Sequence, residues 1–123
     1  MKPLKINPTG DTPAILLDAD KGVFEITGKS MPEDAQLFYQ TILDWVTRYA
    51  EEPNSETNFV FKLEYFNTAS AKLILDILIK LEEIHKRGKK AIFTWYSNNK
   101  DMKEAGEKYG ELVEIPYNIL PID

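Results

Sequence analysis

Residues 58–78 read Asn58-Phe59-Val60-Phe61-Lys62-Leu63-Glu64-Tyr65-Phe66-Asn67-Thr68-Ala69-Ser70-Ala71-Lys72-Leu73-Ile74-Leu75-Asp76-Ile77-Leu78. Within this stretch the apolar period changes from two to about 3.6. Up to Phe66 the composition is that of a strand, with Phe59, Phe61, Leu63 and Tyr65 on one face. Asn67, Thr68 and Ser70 are helix-capping types. Beyond them Leu73, Ile74, Ile77, Leu78, Leu81 and Ile84 recur as one helical stripe. A strand that runs straight into a helix is one step of an α/β fold.

The same alternation extends in both directions. Ala91-Ile92-Phe93-Thr94-Trp95-Tyr96 is a further strand, after a helix end marked by basic residues and Gly88. Lys100 to Leu112 reads as a polar helix with a thin apolar face, and Glu114-Ile115-Pro116-Tyr117 as a last strand or an extended tail. Upstream, Ala35, Phe38, Ile42, Trp45, Val46 and Tyr49 form another helical stripe, ended by Pro53. Its start is expected at Ser30-Met31-Pro32-Glu33, where Ser30 and Glu33 have capping-box spacing. Before that, Ala14–Leu17 and Gly22–Gly28 pair as a hairpin about the turn residues Asp18 to Gly22. The fold class is therefore α/β with a mixed sheet, in the order β-β-α-β-α-β-α-(β). One domain is expected over residues 1–123, with 1–12 a loose lead-in that carries a short edge strand at Leu4–Ile6.

Composition narrows the function classes. The 123 residues are 43% hydrophobic and 28% charged, as in ordinary globular proteins. A net charge of −5 provides no basic field for nucleic acid or an anionic membrane surface. With zero cysteines there is no disulfide, thiolate nucleophile or cysteine metal site. The N-terminal residues contain no signal-like apolar run, and no segment has the length of a membrane span. A cytoplasmic protein is the expectation.

Three stretches imitate chemical motifs and fail on spacing or partners. Gly22-Val23-Phe24-Glu25-Ile26-Thr27-Gly28-Lys29-Ser30 places five residues between glycines where a P-loop needs four, and those five read as a strand. Asp18-Ala19-Asp20 opens like a calcium loop, yet the sixth and twelfth positions hold Val23 and Lys29. His85 is the only histidine and has no ligand or triad partner at a useful spacing. No G-x-S-x-G elbow occurs. We expect no catalytic residue, metal or cofactor, and the protein is read as non-enzymatic.

The segment Tyr65 to Lys72 remains. A helix N-terminus offers free backbone N–H groups and positive dipole. Phosphate on a hydroxyl there adds roughly −1.5 to −2 charge where both are favourable. Lys72, one turn on, can pair with it. The residues alone leave plain N-capping by Asn67 or Thr68 as the commoner reading. Leu75 and Ile79 widen the helix stripe, toward either a neighbouring helix or a partner protein.

Two stretches resemble the SiaC family of bacterial regulatory phosphoproteins: Gly28-Lys29-Ser30-Met31-Pro32-Glu33-Asp34-Ala35 and Leu63-Glu64-Tyr65-Phe66-Asn67-Thr68-Ala69-Ser70-Ala71-Lys72. Tyr117-Asn118 also fits. That family is similar in fold to the anti-sigma-factor antagonists, the STAS-like domains. The resemblance implies phosphorylation of Thr68 by a partner kinase and reversal by a PP2C-type phosphatase. It further implies an unphosphorylated form that binds and activates a diguanylate cyclase, in cyclic-di-GMP and biofilm signalling. Asn67, Thr68, Ala69, Ser70 and Lys72 become the expected partner-binding face. The antagonists' Asp-Ser-Ser-Gly is missing, so sigma-factor control does not follow, and Ser70 stays a second acceptor candidate. The alternatives are a constitutive interaction module and a small-ligand binder built on the aromatic sheet.

Overall fold

The computed structural model describes residues 1–122. Nine elements follow one another: β1 (Leu4–Ile6), β2 (Ala14–Asp18), β3 (Val23–Ser30), α1 (Ala35–Tyr49), β4 (Glu56–Phe66), α2 (Thr68–Lys86), β5 (Lys90–Ser97), α3 (Lys100–Leu112) and β6 (Tyr117–Pro121). The six strands form one sheet in sequence order. β1, β2 and β3 pair antiparallel, and β3 to β6 pair parallel. Each parallel step requires a crossover, and α1, α2 and α3 supply them. The mixed α/β sheet is as the sequence implies.

Register explains the core. The rows Leu17-Phe24-Phe59-Phe93-Tyr117 and Ile15-Ile26-Phe61-Trp95-Ile119 run across the strands on the helix-facing side. The α2 residues Ile74, Ile77, Leu78 and Ile84 are fully buried against that side. On the opposite side the rows are largely polar: Lys62 lies 3.9 Å from Glu25 and sits over the Tyr96 ring at 5.1 Å. A sheet covered on one face only gives the alternating pattern that the strands display.

Four expectations shift. First, β4 contains a bulge: Gly28 pairs with Leu63 but Lys29 pairs with Tyr65, so Glu64 has no partner. An extra residue reverses the parity of all that follows. Tyr65 is therefore turned to the open face and is 52% exposed, while Phe66 moves to the helix side against Trp95 and Tyr109. Second, α1 does not begin at Ser30. Asp34 caps it, its Oδ1 accepting from Leu37 N at 3.0 Å, and Ser30 is the last residue of β3. Third, the buried side of α1 is Ala35, Tyr39, Ile42, Val46 and Tyr49, with Phe38 and Trp45 at its margins. Fourth, the last strand is β6 at Tyr117–Pro121, three residues later than the Glu114–Tyr117 segment.

Candidate functional site

The bulge sets up the junction between β4 and α2. It lets Phe66 pair with Ser30, so that Asn67 N donates to Ser30 O at 2.9 Å and the chain turns at once into the helix. Asn67 is the N-cap, with its Oδ1 accepting from Ser70 N at 2.9 Å. Its carbonyl takes the N–H groups of Ser70 and Ala71. The N–H groups of Thr68 and Ala69 have no acceptor among the described residues, as is usual for the first turn of a helix.

Thr68 is the first helical residue and is exposed, as is Ala69. Lys72 is also exposed, and its Nζ lies 3.6 Å from Asp76. The groove beside them, between the first turns of α1 and α2, is walled by Glu33, Asp34 and Asp76, with Lys72 as its cation. Thr68 thus stands exposed at a helix N-terminus that favours negative charge, with the exposed Lys72 a turn away.

Ser70 is placed otherwise. It is fully buried (0% exposed), which takes it out of the expected partner-binding face and away from any enzyme approaching the folded protein. Its hydroxyl donates to Ser30 O at 3.2 Å and accepts from Ser30 Oγ at 2.9 Å. Ser30 Oγ lies 2.6 Å from the Tyr39 hydroxyl. With the Ser30 and Ser70 protons both committed, Tyr39 must be the donor in that last bond. The three hydroxyls tie the end of β3, the second turn of α1 and the first turn of α2 together. Burial pushes the Tyr39 hydroxyl pKa up to about 12, against the opposing pull of the neighbouring Ser30 and Ser70 hydroxyls.

The sequence reading grouped Asn67, Thr68, Ala69, Ser70 and Lys72, and all five lie at the β4–α2 junction, Ser70 buried and the other four at least partly exposed. It missed Ser30 and Tyr39 as the support beneath them. Tyr39 could have been found, because it stands at the i+4 position from Ala35 and three before Ile42.

The imitation motifs resolve into ordinary structure. Gly28, Lys29 and Ser30 lie in β3. Asp18 Oδ1 accepts from Lys21 N at 3.1 Å and closes the hairpin turn. His85 is half-buried near the end of α2, its Nδ1 3.5 Å from Ala91 N. No group of three or more His, Cys, Asp or Glu residues forms a metal site among the described residues. Nor is any helix there long and apolar enough to cross a membrane.

A second feature adjoins the junction. Phe66, Ala71, Leu75, Ala105, Tyr109 and Leu112 line an apolar groove of about 350 Å³ between α2 and α3. Tyr109 is anchored beneath it, donating to Ala71 O at 2.7 Å. Burial raises its pKa, with the nearby Tyr39 adding to the shift.

Comparison with known proteins places this geometry. The family model described as SiaC family regulatory phosphoprotein matches residues 6–122. An uncharacterized protein of Pseudomonas aeruginosa (strain UCBPP-PA14) is 32% identical over 121 residues, 97% of this chain and 96% of that one. The crystal structure of apo-SiaC from Pseudomonas aeruginosa superposes with a TM-score of 0.91 at 32% identity, covering 98% of this chain and 99% of that one. A chain in the crystal structure of the diguanylate cyclase SiaD in complex with its activator SiaC, from the same organism, matches with a TM-score of 0.90 at 31% identity. There the overlap is 97% of this chain and 99% of that one.

Proposed function

The chain belongs to the SiaC family of regulatory phosphoproteins, and from that premise we propose that it is a non-enzymatic, cytoplasmic phospho-switch with Thr68 as its acceptor. The unmodified protein binds and activates a diguanylate cyclase, as SiaC is the activator of SiaD in the related complex. A cognate Ser/Thr kinase adds the phosphate and a PP2C-type phosphatase removes it.

One observation carries the choice of residue. Of the two hydroxyls in the first turn of α2, Thr68 is exposed and Ser70 is sealed in the core. A kinase needs the hydroxyl in its own active site, and only Thr68 reaches solvent without opening the helix. The mechanism is electrostatic. A neutral Thr68 leaves a cap that a partner can cover. A phosphate puts a double charge in that face, and an interface cannot bury it without supplying a cation.

The experiment is an affinity pull-down from the native cells with wild-type, Thr68→Ala and Thr68→Asp baits. Wild-type and Thr68→Ala should retain a diguanylate cyclase, and Thr68→Asp should lose it. Equal recovery by all three would contradict the switch and favour a constitutive module.

A further inference from the structure

We infer that Ser30 and Tyr39 determine the site specificity of the switch: together they withhold Ser70 from the kinase and so confine the phosphate to Thr68. The inference rests on the reading of Thr68 as the acceptor and names the residues that make it the single one. Three observations carry it.

The first is that the local sequence does not discriminate. Asn67-Thr68-Ala69-Ser70-Ala71 sets both hydroxyls among small residues, two positions apart. Phosphoryl transfer breaks the bond from the γ-phosphorus of ATP to its bridging oxygen and forms one to the hydroxyl oxygen. The hydroxyl proton passes to the kinase as ADP leaves. Serine and threonine can both undergo it. In the intact helix the two differ, because residues two apart point about 200° away from each other. Once the turn frays that difference is lost, and helix ends are where local opening is easiest.

The second is what holds the turn shut. Ser70 N donates to Asn67 Oδ1 and Ala71 N to Asn67 O, so these bonds lie within the turn and tie it to nothing else. The tethers to the rest of the molecule converge on Ser30. Its carbonyl accepts from Asn67 N at 2.9 Å and from the Ser70 hydroxyl at 3.2 Å, and its Oγ donates to Ser70 Oγ at 2.9 Å. Ser30 is itself fixed by strand pairing to Phe66 and by the Tyr39 hydroxyl, 2.6 Å from its Oγ. Tyr109, donating to Ala71 O at 2.7 Å, holds the turn from the α3 side but does not engage the Ser70 side chain.

The third is chemical. A hydroxyl that attacks phosphorus must present its oxygen and shed its proton to a base. The Ser70 proton is committed to Ser30 O and its oxygen accepts from Ser30 Oγ, in a site where Ser30, Tyr39 and Ser70 are all fully buried. No external base reaches it there. Tyr39, as the donor to Ser30 Oγ, keeps the Ser30 proton directed at Ser70.

The test incubates purified chains with ATP and the kinase fraction of the native cells, and maps phosphate by mass spectrometry. Each variant carries Thr68→Ala, so that any phosphate lies elsewhere. Thr68→Ala alone should stay unlabelled. Adding Ser30→Ala or, separately, Tyr39→Phe should place phosphate on Ser70, roughly tenfold or more above that background. Ile84→Val, a buried change near the far end of α2, controls for general destabilisation and should leave Ser70 unlabelled. An unlabelled Ser70 in either lock variant, or equal labelling in the Ile84→Val control, would overturn the inference. The wild-type chain in the same reaction separates it from the reading beneath, since a Thr68 left unlabelled there would count against the acceptor and not against the lock. Amide exchange on the 15N-labelled chain then judges the lock without any kinase. Ser30→Ala should speed exchange of the Ser70 and Ala71 amides by roughly tenfold or more relative to Ile84→Val, and equal rates in the two variants would overturn it.

Discussion

Ser30 Oγ donates to Ser70 Oγ at 2.9 Å across 40 residues of chain, inside a fully buried site. This bond joins the end of β3 to the first turn of α2 and so holds the Asn67–Thr68 cap at a defined place on the surface. Thr68, the proposed acceptor, and Ser70, which supports it, are two positions apart, yet one is exposed and the other is core.

That division predicts the outcome of kinase treatment. Incubated with its cognate kinase and ATP, the wild-type chain should take up one phosphate, Ser70→Ala should still take it up, and Thr68→Ala should take up none. Intact-mass spectrometry with peptide mapping decides it. Phosphate mapped to Ser70 in the wild-type chain would mean that the first turn of α2 opens for the kinase.

The buried hydroxyls should differ in cost. Ser30→Ala strands both the Tyr39 donor and the Ser70 acceptor, and should lower stability by about 1–3 kcal/mol in urea unfolding. Tyr39→Phe removes one donor and leaves only the Ser30 oxygen short of a partner, so it should cost less, about 0.5–1.5 kcal/mol. The reverse order would show that the proton directions assigned here are wrong.

Gly106 lies against the Trp95 ring, where an added Cβ would stand 2.4 Å from Cδ1. Trp95 is fully buried and donates its Nε1 to Met102 O at 2.9 Å, so the ring cannot retreat. Gly106→Ala should therefore destabilise by about 1–3 kcal/mol through overpacking, despite the better helix propensity of alanine. Gly110 meets the Tyr117 ring comparably closely, but Tyr117 is 39% exposed and can swing aside. Gly110→Ala should cost less, and thermal melts of the two variants rank them.

Alkaline pH should expose the buried tyrosines. A phenol whose folded pKa is raised above its unfolded value of about 10 favours the folded state below that value, and the advantage is lost as pH rises through the folded pKa. Tyr39, pushed up to about 12 chiefly by burial, and Tyr109, raised further for the same reason, both act in this direction. Stability should fall from about pH 10 upward. Absorbance at the phenolate band should show the exposed tyrosines titrating first and Tyr39 and Tyr109 only with unfolding. Tyr39→Phe should flatten the loss.

Much of the fold was legible because period and punctuation agreed along most of the chain. The α2 stripe from Leu73 to Ile84 and the strand at Ala91–Tyr96 stand where the sequence puts them. The position of Tyr65 was not legible, because a bulge depends on the partner strand and leaves no mark in the period of β4 alone. The Ser30 capping box misled for a related reason. Its spacing is local, whereas Ser30 is held in β3 by pairing with Phe66, 36 residues later. At the junction, residue types identified the cap, but only burial could separate Thr68 from Ser70. The α2–α3 groove needs both helices in place, so sequence could offer Leu75 only as a stripe-widening residue with two readings.

The most direct test of the switch is a calorimetric titration of the diguanylate cyclase that the unmodified chain retains from its native cells, purified, with the chain in two states, unmodified and stoichiometrically phosphorylated on Thr68. The account predicts binding by the unmodified protein and at least a hundredfold weaker binding by the phosphorylated one, with cyclase activation lost in parallel. Equal affinity of the two forms would contradict it.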